Sequence, residues 1–249
     1  MLLRRITKHV VDQNWAAVGI DMLVVIFGIF IGFQLNNWNV ERQQTAEGKK
    51  YLERIADELE QDVRFFDGVL KSNQNSIENV KFLLETVDNE DLVREHPTRF
   101  IRSLASVGAS IVVNVSNNTF EEIKFSGKLE LIADEELRNE IADYYDFIEV
   151  SQTFNHIRIN AETEYQSRYV GVLATDQYNP FVPDDTYSEV DALLVYERFM
   201  QKPELIAWLP IIINAKSNTI GFSTRSQQNA KDLLVTIRGE DSTEGNSQE

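Results

Sequence analysis

The apolar positions of the chain change rhythm near residue 40. Ala16 to Leu35 reads AAVGIDMLVVIFGIFIGFQL, with an unbroken apolar run from Met22 to Phe33. About twenty residues at ~1.5 Å rise match the ~30 Å hydrocarbon core of a bilayer, so the run predicts a transmembrane helix. Trp15 and Trp38 bracket it, where indole rings favour the headgroup level. Gln34, Asn36, Asn37 and Asn39 add amides suited to the interface rather than to lipid. Beyond the run the pattern becomes periodic. From Leu52 to Val87 two seam rows can be written, Leu52, Leu59, Phe66, Asn73, Val80, Val87 and Ala56, Val63, Leu70, Ile77, Leu84. This heptad predicts a long coiled-coil-like helix, continuous with the span if Val40–Lys50 is helical. Gly68 costs about 1 kcal/mol against alanine within it.

Further elements follow by the same reading. Pro97 interrupts a short segment from Leu92 to Ala105, and Ser110–Val115 is the one strand candidate. Thr119 with Glu122 has capping-box spacing and Gly127 closes that helix. Asp134 opens a second long helix, and Asn179-Pro180 with Pro183-Asp184-Asp185 marks a loop. Two helices follow, about Tyr187–Gln201 and Pro203–Ile237, the second expected to kink or split at Pro210. The fold class is therefore mainly α, an N-terminal transmembrane helix followed by a helical bundle. Its expected divisions are a cytoplasmic N-terminus over 1–14, the span over 15–38, an extracytoplasmic helical domain over 39–238 and a disordered acidic tail over 239–249.

Charge sharpens this division. The chain has 249 residues, 24 Lys plus Arg, 40 Asp plus Glu and a net charge of −16. The first fifty residues carry +2 and the remainder −18. Such acidity argues against nucleic acid as a partner, because phosphate binding needs a basic patch. Arg4, Arg5 and Lys8 precede the apolar run without a small-x-small cleavage site after it, which favours an uncleaved signal anchor with the N-terminus in the cytoplasm.

Chemistry is sparse. The chain has no cysteine, which excludes disulfides, thiolate metal sites and cysteine nucleophiles. His9, His96 and His156 lack paired-ligand spacing, and no phosphate loop, EF-hand or nucleophile elbow occurs. Neither catalytic, metal nor cofactor-binding residues are nominated. The candidates instead concern association. Asp21 lies within the span, either reaching the interface or serving as a relay or polar helix contact. Gly28 and Gly32 form a G-x-x-x-G spacing that allows close helix approach. Leu59, Phe66, Asn73 and Ile77 are oligomer-seam candidates, and Trp15 and Trp38 are interfacial anchors. Tyr144, Tyr145, Phe147, Phe154, Tyr165 and Tyr169, with Arg158 and Arg168, form either bundle core with a cationic rim or a solute pocket.

The stretch from Gly19 to Asn39, with Asp21, Gly28, Gly32 and the Gln34-Leu-Asn-Asn-Trp38-Asn exit, resembles the opening of a bacterial domain-of-unknown-function family of single-span proteins. Thr119–Ile132 and the later Leu137-Arg138 and Tyr144-Tyr145 are also similar to it. The resemblance implies a protein of the bacterial inner membrane and carries over no catalytic residue. The expected function is that of a membrane-anchored interaction or scaffold protein, partnered by lipid and by a second copy or another membrane protein. A solute-sensing ectodomain and a stator-like subunit using Asp21 are the alternatives.

Overall fold

The computed structural model describes residues 15–109 and 111–244; within these, the side chains of 15–21, 155–158 and 240–244 lie outside the description. Among the described residues there are seven α-helices, two short 3-10 turns and no strand. The elements are α1 (Trp15–Asp88), α2 (Asp91–Glu95), α3 (Pro97–Val107), α4 (Asn118–Ser126), α5 (Glu135–Arg168), α6 (Glu189–Met200) and α7 (Pro203–Glu244).

α1 is one uninterrupted helix of 74 residues, about 110 Å long at 1.5 Å per residue. The apolar run and the heptad segment are thus parts of a single rod, as the Val40–Lys50 continuity predicts. From Met22 to Ala46 every residue of the rod is exposed, and burial begins at Glu47 and Gly48. Gly48 is required there. A Cβ built on it would lie 2.1 Å from the Leu131 carbonyl oxygen, so only a glycine lets the 3-10 turn Leu129–Leu131 press against α1. An ion pair from Lys128 Nζ to Glu47 Oε1, 2.6 Å, closes the same junction.

The bundle core is built chiefly by α1 and α7, with α5 packed on α7 and α3 on α1. α7 runs antiparallel to α1: Gln227 Nε2 donates to the Val63 carbonyl, and Arg238 pairs with Glu60. Two apolar clusters result. The one nearer the exposed rod contains Ile55, Leu59, Phe66, Phe120, Ile141 and Leu233; the far one contains Leu83, Phe100, Leu104, Tyr165, Phe199 and Leu209.

Local signals explain most helix ends. Asp134 accepts from the Glu136 and Leu137 amides and starts α5; Ser188 caps α6 through the Asp191 amide. Pro97 and Pro203 occupy first-turn positions, where a missing N–H costs nothing. Gly127 closes α4 at φ +70°.

Five expectations need correction. Residues 111–117 form no strand: Val113 and Val115 are buried and Val112 is exposed, the alternation that suggested one, but no second strand lies among the described residues to pair with it. The segment packs as a strap on the near cluster. Thr119 is not an N-cap; its Oγ1 donates to Glu58 Oε1, while Glu122 accepts from Arg54 and Tyr51. Pro210 does not split α7, which continues through Glu244. Residues 239–244 therefore extend that helix rather than begin a separate tail, and 245–249 lie outside the described residues. The fifth correction concerns the seam. The first predicted row is buried at Leu59, Phe66, Asn73 and Val80, but its companion row is Ile55, Asp62, Val69, Ser76 and Leu83, one residue earlier than the apolar row that includes Ile77.

Candidate functional site

Two regions of α1 differ in the chemistry they offer. The first is the exposed apolar cylinder. Met22, Val24, Phe27, Phe30 and Phe33 are each more than half exposed, and α1 is a helix long and apolar enough to cross a membrane. Gly28 and Gly32 have open space at their Cβ positions, so this face is vacant within the chain. Trp38 is exposed at the end of the apolar run. The backbones of Trp15 and Asp21 belong to α1, but their side chains, and hence the interfacial and relay readings for them, lie outside the described residues.

The second region is the polar interior. Between the two apolar clusters each long helix buries polar side chains: Asn73 and Ser76 on α1, Ser151 and Glu162 on α5, and Lys216, Thr219 and Ser226 on α7. Lys216 Nζ lies 2.6 Å from Glu162 Oε1 and also donates to the Ala109 carbonyl at 2.6 Å. This buried charge pair ties α5, α7 and the end of α3 together. A hydrogen bond from Asn73 Nδ2 to the Val69 carbonyl, 2.8 Å, keeps that amide within its own helix.

Leu59, Phe66 and Asn73 are therefore occupied inside the bundle and do not face a second copy; Ile77, from the displaced row, is half-buried. The physical reason is that α7 supplies the partner surface that the heptad pattern leaves unspecified.

The aromatic crowding of α5 resolves largely into core. Tyr144 donates to Asp62 Oδ2 at 2.7 Å and Tyr145 to Glu58 Oε2 at 3.2 Å. Burial raises the Asp62 carboxyl to about 6, with the Tyr144 hydrogen bond opposing the rise and the charge of Glu58 adding to it. Tyr165 and Tyr169 belong to the far cluster, and Arg168 lies over the Trp208 ring at 4.8 Å. The side chain of Arg158 lies outside the described residues. The buried Asp62 and Ser76 had no pattern to announce them, because a heptad search rewards apolar residues and passes over polar ones.

Among the described residues no group of three or more His, Asp or Glu side chains could hold a metal ion. No family model, no curated protein and no solved structure matches this chain.

Proposed function

We propose that this chain is a single-pass protein of the bacterial inner membrane, with residues 1–14 cytoplasmic and the helical bundle in the periplasm. There it serves as an interaction or scaffold protein, associating with a second copy or another membrane protein. The observation that carries this reading is the contrast along α1: Met22–Ala46 is wholly exposed, whereas the same helix from Gly48 onward is the spine of a packed core. An uncovered apolar cylinder of this length is costly in water and stable in lipid. The resemblance of Gly19–Asn39 to a single-span bacterial family supports the same reading.

Association is assigned to the span because the heptad seam is filled by the chain's own helices. Close approach through Gly28 and Gly32 then uses van der Waals packing, the main attraction available between helices in lipid. The full chain in mild detergent should run as a defined oligomer or with a stoichiometric membrane partner. Gly28→Leu and Gly32→Leu should each weaken that association at least about tenfold, or about 1.4 kcal/mol. Unchanged association in both variants would remove the glycine face from the account, and release from membranes by alkaline carbonate would remove the anchor itself.

A second reading, a solute-receiving ectodomain, is favoured by one observation: a cleft of about 840 Å³ uses the same rod as its wall.

A further inference from the structure

The strap between α3 and α4 has the sequence of a strand and finds no partner strand among the described residues. It runs without turn or bend from Ile111 to Asn117. Its flanks are pinned to α1: Asn79 donates to Ser106 Oγ at 3.0 Å, and Thr119 Oγ1 donates to Glu58 Oε1 at 2.8 Å. Asn79 and Glu58 lie about 31 Å apart along that helix at 1.5 Å per residue. The chain from Ala109 to Thr119 reaches at most ~35 Å, so the strap is drawn out close to straight.

An extended chain turns the N–H and C=O of alternate residues to the same side. Val112, Asn114 and Ser116 thus share one edge, and Val112 and Asn114 are exposed. Val113 and Val115 are buried and fix the strap on the near cluster. Among the described residues no backbone N–H or C=O from Val112 to Ser116 has a hydrogen-bond partner. Open edges in native proteins are blunted by charged side chains, proline or a bulge. Here residues 109–120 contain neither a charged residue nor a proline, while Ile111, Val112, Val113 and Val115 are β-branched. A β-prone, uncharged and unpaired edge is a template for strand addition by another chain.

The groove beside the strap decides which strand fits. Asn114 and Asn117 line one bank, and Asp146, Glu149 and Gln152 of α5 line the other. Its volume, about 120 Å³, falls below the ~300 Å³ of small-molecule sites and suits one side chain of a strand laid along the edge. Asp146 and Glu149 are exposed, and Glu121 of α4 lines the same groove. Lys124, the cation in the lining, lies over the Phe120 ring at 5.5 Å. A second copy would bring two acidic grooves together, each on a body carrying −18, so charge opposes self-pairing.

We propose that the edge of this strap adds an extended basic segment of a partner protein as a β-strand. The partner's backbone pairs with Val112, Asn114 and Ser116, and one of its Lys or Arg side chains enters the groove beside Asp146 and Glu149. The site lies on the bundle, so it depends neither on the span nor on association through Gly28 and Gly32.

Binding of acetyl-Lys-Val-Lys-Thr-Lys-Val-amide to the full chain in uncharged detergent tests it, by calorimetry and by hydrogen exchange of segment 111–117. Saturable binding of about one peptide per chain is expected, with slowed exchange of that segment. The same peptide N-methylated at every residue, and one with Glu in place of Lys, should each bind at least about tenfold more weakly. Asn114→Pro removes an edge N–H at an exposed residue that makes no hydrogen bond within the chain. It should weaken binding by the same factor and leave the circular dichroism unchanged. Asp146→Lys with Glu149→Lys should weaken binding as much without altering the strap. Absence of saturable binding would overturn the proposal, as would equal affinity for the N-methylated peptide or in folded Asn114→Pro. Equal affinity for the Glu peptide would overturn the basic partner. So would protection of 111–117 that rises with protein concentration in the absence of peptide, which marks a second copy.

Discussion

Asp62 occupies a position where the seam asks for an apolar side chain, and its environment makes it a pH-dependent element of the core. Its folded pKa of about 6 lies above the unfolded value of about 3.9. Folding therefore favours the neutral carboxyl. That contribution is complete below about pH 4 and is lost as the pH rises through 6, after which a buried carboxylate remains. Asp62→Asn keeps an acceptor for Tyr144 and removes the ionisation. Thermal melts from pH 4 to 8 should show a flattened profile and, at pH 7.5, a gain on the order of 1 kcal/mol over the parent. A parent profile already flat between pH 4 and 7 would contradict the assignment. Gly48 makes the opposite kind of prediction. Gly48→Ala must displace the Leu131 carbonyl from α1, and we expect a loss of about 2 kcal/mol in denaturant unfolding. Nothing in the sequence distinguishes Gly48 from Gly68, since one is demanded by a turn arriving from eighty residues later and the other by nothing in the packing.

At the scale of elements, most caps and breakers were legible, Thr119 and Pro210 excepted, and pairings were not. Asp134, Gly127, Pro97 and Pro203 act locally, so each marks its helix end without reference to the rest of the chain. The seam of α1 was legible in one row only. Its second row follows α7, which presents Gln227 to the Val63 carbonyl and Asp67, and a pattern search over α1 alone cannot know that partner. The strap 111–117 fails as a strand for a similar reason: alternation describes one face buried, not a sheet. The polar layer has a sharper consequence. Lys216→Met should cost about 3–5 kcal/mol in urea unfolding, because Glu162 keeps its buried charge. Adding Glu162→Leu should recover most of that loss. If the double variant is as unstable as Lys216→Met alone, the pair is not the dominant interaction of the layer.

Across the whole molecule, the uneven charge and the single rod lead to the same arrangement. The distance along α1 from Trp38 to Gly48 is about 15 Å, so a span ending at Trp38 would hold an acidic bundle clear of the headgroups. Negative bundle and anionic lipid repel at shorter range. The return of α7 to the near end, through Arg238 and Glu60, closes the bundle at its base and leaves the rod as its one connection to the apolar segment among the described residues. The central claim is that this rod crosses a bilayer and separates residues 1–14 from the bundle. The absence of cysteine makes a direct test clean. Single variants Thr7→Cys and Phe125→Cys, the latter at an exposed site on α4, can be labelled in intact spheroplasts with a membrane-impermeant maleimide. The account predicts that Phe125→Cys is labelled at once and Thr7→Cys only after permeabilisation; labelling of both before permeabilisation, or of neither, would contradict it.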